Sequence, residues 1–375
     1  MLFEQKVNLG VGAAYRTSEG KPWVLPVVRA AEKALANDDT LNKEYLPVLG
    51  MEAFSNAATR MLLVRTAQLL FKAESGHVLA FGVQTLSGTG ALRVGAEFLA
   101  RILGKTVFYY SNPTWENHKL VFKNGQFLEA ENTVIGRQDP RFRPRGVPRG
   151  SQKCPEGAVI ILHACAHNPT GCDPTEDQWK QIAEVIREKK LFPFFDSAYQ
   201  GFASGDLIRD ASAVRYFVQE GFELFCAQSF AKNFGLYNER TGNLTVVSNN
   251  RAGCCSKVTD YSDHQRNVFK PSEPWRKDRP RMCDNIRTMS SRIIEMRTKL
   301  REALENLQTP GDWSHITKQI GMFSYTGLNE IQSLNMVKKH HVYMLRSGRI
   351  SMCGLTPSNV DYVAKAIYET VTTLP

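Results

Sequence analysis

The sequence predicts an α/β protein: a large domain built on a mostly parallel sheet covered by helices, followed by a smaller α+β unit. Three observations predict it. Apolar runs of strand length recur along the chain. Amphipathic helical patterns fall between them. One long striped helix then precedes a stretch of mixed character.

The strand runs are "TVFYY" (106–110), "AVIILHA" (158–164), "FPFFD" (192–196), "ELFCAQS" (223–229) and "NLTVV" (243–247). They are continuously apolar, as strands buried on both faces are. Between two of them, "TEDQWKQIAEVIREKK" (175–190) opens on Thr175 with acids in its first turn, a good helix start. Trp179, Ile182, Val185 and Ile186 fall on one face of it. Strand–helix alternation implies parallel strands with helical crossovers. Near the end, residues 285–307 predict a long helix with the stripe Met289, Ile293, Met296, Leu300, Leu304 and Leu307, closed by the turn "TPGDW". Residues 61–80, 123–153 and 249–283 show no usable period and are expected to lack regular structure.

Composition narrows the function classes. The chain has 375 residues, 42% hydrophobic and 22% charged, an ordinary soluble profile. No apolar run approaches the roughly 20 residues that span a bilayer. The opening "MLFEQKVNLG" has neither a basic flank nor an apolar core, so no secretory signal is expected. The eight cysteines have no C-x-x-C spacing, which fits reduced thiols and no structural zinc. The net charge of +10 is concentrated in residues 137–153 and 251–281. Neither stretch has aromatic interleaving or a nucleic-acid module, so a nucleic-acid partner is not expected.

Five short stretches carry chemistry. In "LSGTGALR" (86–93) a Gly-rich turn opens a helix; free backbone N–H groups at a helix N-terminus bind anions. A plain tight turn explains the same residues. In "FFDSAYQG" (194–201) a strand ends on Asp196, with Tyr199 three residues on. Ligands of doubly wound sheets sit outside the carboxyl ends of strands, although an Asp there can also cap a helix. "HACAHNPTG" (163–171) sets Asn168 in a turn after another strand, and "SNPTWENH" (111–118) repeats the design with Trp115. Asn-Pro is ordinary turn chemistry, and a lone Trp is more often core. "SFAKNFGLYNER" (229–240) delivers Lys232 from an apolar strand into a polar loop. A desolvated lysine is a carbonyl nucleophile. With an anion cradle, an Asp, a Tyr, an Asn and a Trp at neighbouring strand ends, Lys232 fits the pattern by which enzymes hold pyridoxal phosphate.

These motifs, with "VNLGVGAAYRT", "EYLPVLG", "GMFSYTGL" and "SGRI", closely resemble the aspartate aminotransferases of the class I pyridoxal-phosphate-dependent family, most of all their cytosolic form. The resemblance implies fold type I of the pyridoxal-phosphate-dependent transferases. Its large cofactor-binding domain would span 23–288, and 1–22 with 289–375 would form the small domain. It implies amino-group transfer between L-aspartate and 2-oxoglutarate in a cytoplasmic homodimer of amino-acid metabolism. By the same resemblance Lys232 forms the Schiff base with the cofactor and shuttles the proton. Asp196 keeps the pyridine nitrogen protonated. Tyr199 and Asn168 hydrogen-bond the ring oxygen, and Trp115 stacks on the ring. Ser87, Gly88, Thr89, Ser229 and Arg240 hold the phosphate, which Tyr45 reaches from the neighbouring subunit. Arg349 grips the substrate α-carboxylate, and Gly12, Trp115 and Asn168 complete the substrate site. Residues 61–80, 123–153 and 249–283 depart from the family pattern, and the last replaces the segment that holds the family's distal-carboxylate arginine. A non-catalytic or unstable homologue retaining at most cofactor binding is the alternative reading.

Overall fold

The apolar runs assemble into a single seven-stranded sheet in a computed structural model that describes residues 6–10, 17, 20–63, 79–127, 129–133, 156–248 and 275–374. A short first strand, β1 (Val7–Asn8), stands outside this sheet. The sheet comprises β2 (Leu79–Leu86), β3 (Val107–Ser111), β4 (Glu129–Thr133), β5 (Val159–His163), β6 (Phe192–Ser197), β7 (Leu224–Ser229) and β8 (Thr241–Ser248). Their order is β2-β8-β7-β6-β5-β3-β4. The pairs β4–β3, β3–β5, β5–β6 and β6–β7 are parallel, whereas β8 runs antiparallel to both β7 and β2. The sheet is therefore mostly parallel, with one reversed strand.

Continuous burial follows from the two covered faces. Phe194 and Phe195 are adjacent on β6, so their side chains point to opposite faces. Phe194 packs with Phe108, Phe122 and Phe225 on one side, and Phe195 with Trp179 and Phe217 on the other. The helices of this part of the chain are α1 (Pro26–Ala36), which lies away from the sheet, and α2 (Glu52–Leu63), α3 (Ser87–Arg101), α4 (Glu116–Asn124), α5 (Glu176–Glu188), α6 (Leu207–Asp210) and α7 (Ser212–Gln219), which cover it. Thr175 caps α5 in a capping box with Gln178, and Trp179, Ile182 and Ile186 are buried while Val185 sits at the edge of the same cluster. Helix α3 lies so close to the sheet that a Cβ on Gly95 would meet the Phe194 ring at 2.6 Å.

The predicted helix over 285–307 is α8 (Trp275–Asn306), which starts ten residues earlier and contains Pro280. Its first two turns, "WRKDRPR", carry five charged residues and one aromatic residue, Trp275, so they offer no apolar period to read. Met289, Ile293, Met296, Leu300 and Leu304 are buried as expected, but Leu307 lies beyond the helix end and is exposed. Against this stripe pack α9 (His315–Lys318), α10 (Glu330–Lys338) and α11 (Val360–Thr373) with two small sheets. In one, β9 (Phe323–Tyr325) pairs antiparallel with β11 (Arg349–Ser351). In the other, β1 pairs parallel with β10 (Val342–Tyr343).

The three stretches without period are partly corrected. Met61–Leu63 close α2, Leu79 opens β2, Glu129–Thr133 is strand β4, and 275–283 belong to α8. Strand β4 is an edge strand of polar sequence held by main-chain pairing to β3, which side-chain alternation cannot reveal. The rest of these stretches, 64–78, 128, 134–153 and 249–274, lies outside the described residues.

Candidate active site

The carboxyl ends of β3, β5, β6 and β7 bring most of the sequence-predicted residues together. Asp196, near the end of β6, stands in register with His163 on β5 and Ala227 on β7. It is buried, and its Oδ2 lies 2.8 Å from His118 Nε2 on the first turn of α4. The other nitrogen of that fully buried ring, Nδ1, lies 2.8 Å from the Thr114 hydroxyl. The His163 ring packs edge-on to His118 and 4.3 Å from His167. His167 is held at both nitrogens, by Ser111 Oγ and Thr170 Oγ1, each at 2.7 Å. Burial holds the His163 imidazole far below the usual range, and His167 and His118 reinforce this. Burial, then His118, lowers His167 to about 3. Both rings are therefore neutral at physiological pH. The ligand atoms of His118, His163 and Asp196 lie within 4.8 Å of one another. Such a set can bind a cation, but His118 and Asp196 already satisfy each other.

Lys232 follows β7 by three residues, with its Nζ 5.2 Å from the centroid of the Tyr199 ring. Burial lowers its amine below the usual lysine range; Asp196 opposes the shift and Arg240 adds to it. The loop that carries it is tied to the loop of Tyr199, since Asn233 Nδ2 donates to the Gln200 carbonyl at 3.2 Å. Tyr199 is buried, and burial and then Asp196 push its phenol up while Arg349 pulls it down. Arg349, at the start of β11, donates from Nη1 to Asn168 Oδ1 and from Nη2 to the Gly10 carbonyl, each at 3.3 Å. Its guanidinium lies 4.0 Å from the centroid of the Phe323 ring.

The Gly-rich turn is a helix start with no spacer, since β2 ends at Leu86 and α3 begins at Ser87. Ser87 takes a left-handed φ of 62°, and its N–H donates to the Arg240 carbonyl at 2.7 Å. Its hydroxyl is 3.3 Å from that of Ser229. A Cβ on Gly88 would stand 2.9 Å from Ser229 Cβ, and one on Gly242 would stand 2.2 Å from the Ser87 main chain. The first turn of α3 has no acid and no side-chain cap. Its positive end is thus open to an anion among the hydroxyls of Ser87, Thr89 and Ser229.

Trp115 is the N-cap residue of α4 and is partly buried against the sheet. Tyr45 is 84% exposed in the single chain. Gly12 lies outside the described residues. The sequence reading missed His118, His163, His167 and Phe323. The two strand-end motifs "SNPTWENH" and "HACAHNPTG" each contain histidines. Their recurrence beside an Asp-ended strand was the available signal.

A half-buried lysine whose amine is held below the usual lysine range, a buried carboxylate braced by imidazole and an anion-ready helix start together suit an anionic aromatic aldehyde with a basic ring nitrogen. The family model for aminotransferase class I and II matches residues 4–367. The cytoplasmic aspartate aminotransferase of Gallus gallus is 51% identical over 385 residues, covering 98% of this chain and 92% of that protein. That of Caenorhabditis elegans is 52% identical over 378 residues, covering 98% and 91%. Among solved structures, the aspartate aminotransferase of Saccharomyces cerevisiae cytoplasm superposes with a TM-score of 0.88 at 38% identity, covering 100% of this chain and 94% of that one. An aromatic-amino-acid aminotransferase from Burkholderia pseudomallei, covalently bound to pyridoxal phosphate, superposes with a TM-score of 0.87 at 32% identity, covering 99% and 94%.

Proposed function

Because the chain belongs to the class I and II aminotransferase family, we propose that its strand-end cluster is the active site of an aspartate aminotransferase. The reaction moves the amino group of L-aspartate to 2-oxoglutarate, giving oxaloacetate and L-glutamate. The enzyme is a pyridoxal-phosphate-dependent transaminase of fold type I. The residues fit the cofactor: a cradle at Gly88 that leaves no room for a Cβ, a helix start without an acid, and a half-buried lysine amine that feels a buried carboxylate. Bound pyridoxal phosphate supplies a carbonyl for amines and a ring that takes up electrons released at the substrate α-carbon.

The chain's own residues divide the remaining work. Lys232 would hold the cofactor at its carbonyl carbon through Nζ, with the carbonyl oxygen leaving as water, and once displaced by the substrate amine would move a proton to and from the substrate α-carbon. Its depressed pKa keeps more of the amine free to attack and to accept that proton. Asp196 holds a proton on the ring nitrogen, and His118, itself braced by Thr114, fixes the carboxylate for that task. Tyr199 and Asn168 direct hydrogen bonds to the ring oxygen. Trp115 covers the ring face and excludes water. Ser87, Gly88, Thr89, Ser229 and Arg240 hold the phosphate, with Tyr45 offered to a second copy. Arg349 takes the substrate α-carboxylate as a bidentate pair, in a pocket that Gly12, Asn168 and Trp115 complete.

We further infer a homodimer in the cytoplasm, with the large domain over 23–288 and the small domain over 1–22 and 289–375. The Gallus gallus and Caenorhabditis elegans relatives are cytoplasmic by name. Helix α1 buries none of its residues within the single chain, which supports a second copy against it.

The observation that carries the site assignment is the placement of Lys232, with its Nζ 5.2 Å from the centroid of the Tyr199 ring and its loop tied to that of Tyr199 through Asn233. Borohydride reduction of the cofactor-loaded enzyme, followed by peptide mapping, should fix the cofactor on Lys232. A label on another lysine, with Lys232→Ala still active, overturns the assignment.

A further inference from the structure

Arg297 on α8 is 2% exposed and makes no ion pair with any described residue. A buried charge without a counterion is costly unless its hydrogen bonds are met. Arg297 meets them at Nη1 and Nη2 on main-chain carbonyls alone, while its buried Nε has no partner among the described residues. Its Nη1 donates to Ile316 at 2.8 Å, and its Nη2 to Gly321 at 3.0 Å and to Phe323 at 2.5 Å. Three carbonyls from one eight-residue segment, 316–323, thus converge on one planar fork.

That segment joins two parts of the site. On one side it rests on the turn that presents Asn168. Ile320 N–H donates to the Gly171 carbonyl at 2.8 Å, and a Cβ on Gly321 would meet Ala166 Cβ at 2.5 Å. The turn is itself pinned, because Asp173 accepts the N–H groups of Ala166 and His167 at 2.6 and 2.9 Å. On the other side the segment ends in β9, which pairs with the strand of Arg349, and Met352 N–H donates to the Met322 carbonyl at 2.8 Å. The ring of Phe323, whose carbonyl Arg297 holds, lies against the Arg349 guanidinium.

We propose that Arg297 is a positioning residue for carboxylate recognition: its fork fixes the 316–323 segment, the segment fixes the Phe323 ring, and the ring sets the plane in which Arg349 meets the substrate. The inference rests on the reading of Arg349 as the α-carboxylate anchor. Lysine at position 297 keeps the charge but cannot span three carbonyls, because it presents a point ammonium in place of a rigid planar fork.

The test uses the cofactor-loaded enzyme and succinate, a dicarboxylate with no amino group to transfer. Calorimetric titration gives its Kd for the wild type, Arg297→Lys, Phe323→Leu and Arg349→Met. Arg297→Lys is expected to weaken succinate about tenfold, the loss when a charge-assisted bidentate pair becomes a poorly aligned one. KM for amino acid and oxo acid should rise alike, with kcat held within about twofold, because uniform binding is what is lost. Phe323→Leu should weaken succinate in the same direction, and the double variant should be no worse than the weaker single one, since both act through one ring. Unchanged succinate Kd and KM in Arg297→Lys, with only a lower melting temperature, overturns the proposal. If Arg297→Lys does not fold, Phe323→Leu decides alone, and wild-type succinate affinity there overturns it. Unchanged affinity in Arg349→Met refutes the anchor reading itself, an outcome separate from failure at position 297.

Discussion

Acid should weaken this fold through the histidines behind Asp196, and the size of the effect follows from His167. Its imidazole is lowered to about 3 by burial and by His118, whereas an unfolded histidine titrates near 6.5. Between those values the unfolded chain binds a proton that the folded chain refuses. Stability is therefore complete above pH 6.5 and falls as pH drops, by up to about 1.4 kcal/mol per pH unit for each such group. His167 is partly exposed, which reduces the full value. From pH 6.5 to 5 the loss assigned to His167 is about 1–2 kcal/mol. His163 shifts in the same direction and adds to the wild-type slope. The informative perturbation is His167→Gln, whose amide can still reach hydroxyls but cannot take the proton. Urea unfolding is followed from pH 7.5 to 5 for both proteins at one fixed excess of cofactor. The variant loses some stability at pH 7.5, but the gap should close by about 1–2 kcal/mol on acidification. Two parallel curves would show that His167 takes up its proton alike in the folded and unfolded chains, and the linkage argument would fail.

Two further outcomes are expected. Asp196→Asn removes the charge that holds the ring-nitrogen proton; loss of a charged hydrogen bond is worth about 1.5–3 kcal/mol, so turnover should fall by at least roughly one to two powers of ten, and near-normal turnover would contradict the role. Gly88→Ala places a Cβ 2.9 Å from Ser229 Cβ, an overpacking of about 1–3 kcal/mol; it should weaken cofactor affinity, read as retention on dialysis, by about five- to a hundredfold, and retention equal to wild type would show that the cradle has slack.

The sheet was legible because its core strands are buried on both faces. Runs such as 192–196 and 223–229 need no partner to be recognised as strands. Helix α5 was legible from its cap and stripe. Strand β4 was not, because its polar residues pair through the main chain at an edge. Strand β2 was missed for a related reason: part of it falls in the aperiodic stretch 61–80, and it begins only at Leu79. In the site, Lys232, Asp196, Tyr199 and Asn168 stand out in the sequence because each sits at or just beyond the end of a readable strand. The histidine brace and the Arg297–Phe323 support do not, because they depend on register between β5 and β6 and on a carbonyl cluster that no side-chain pattern encodes.

The pairing of Val7 with Val342 has a consequence for synthesis. The first strand leaves the ribosome with no partner to join. Its mate follows roughly 335 residues later, on the order of 20–60 s at ordinary elongation rates. The Gly10 carbonyl that takes an Arg349 N–H belongs to the same early stretch. The nascent chain can therefore complete its large sheet while the Gly10 carbonyl still waits for Arg349. Pairing of Val342 with Val7 then closes a loop of roughly 335 residues.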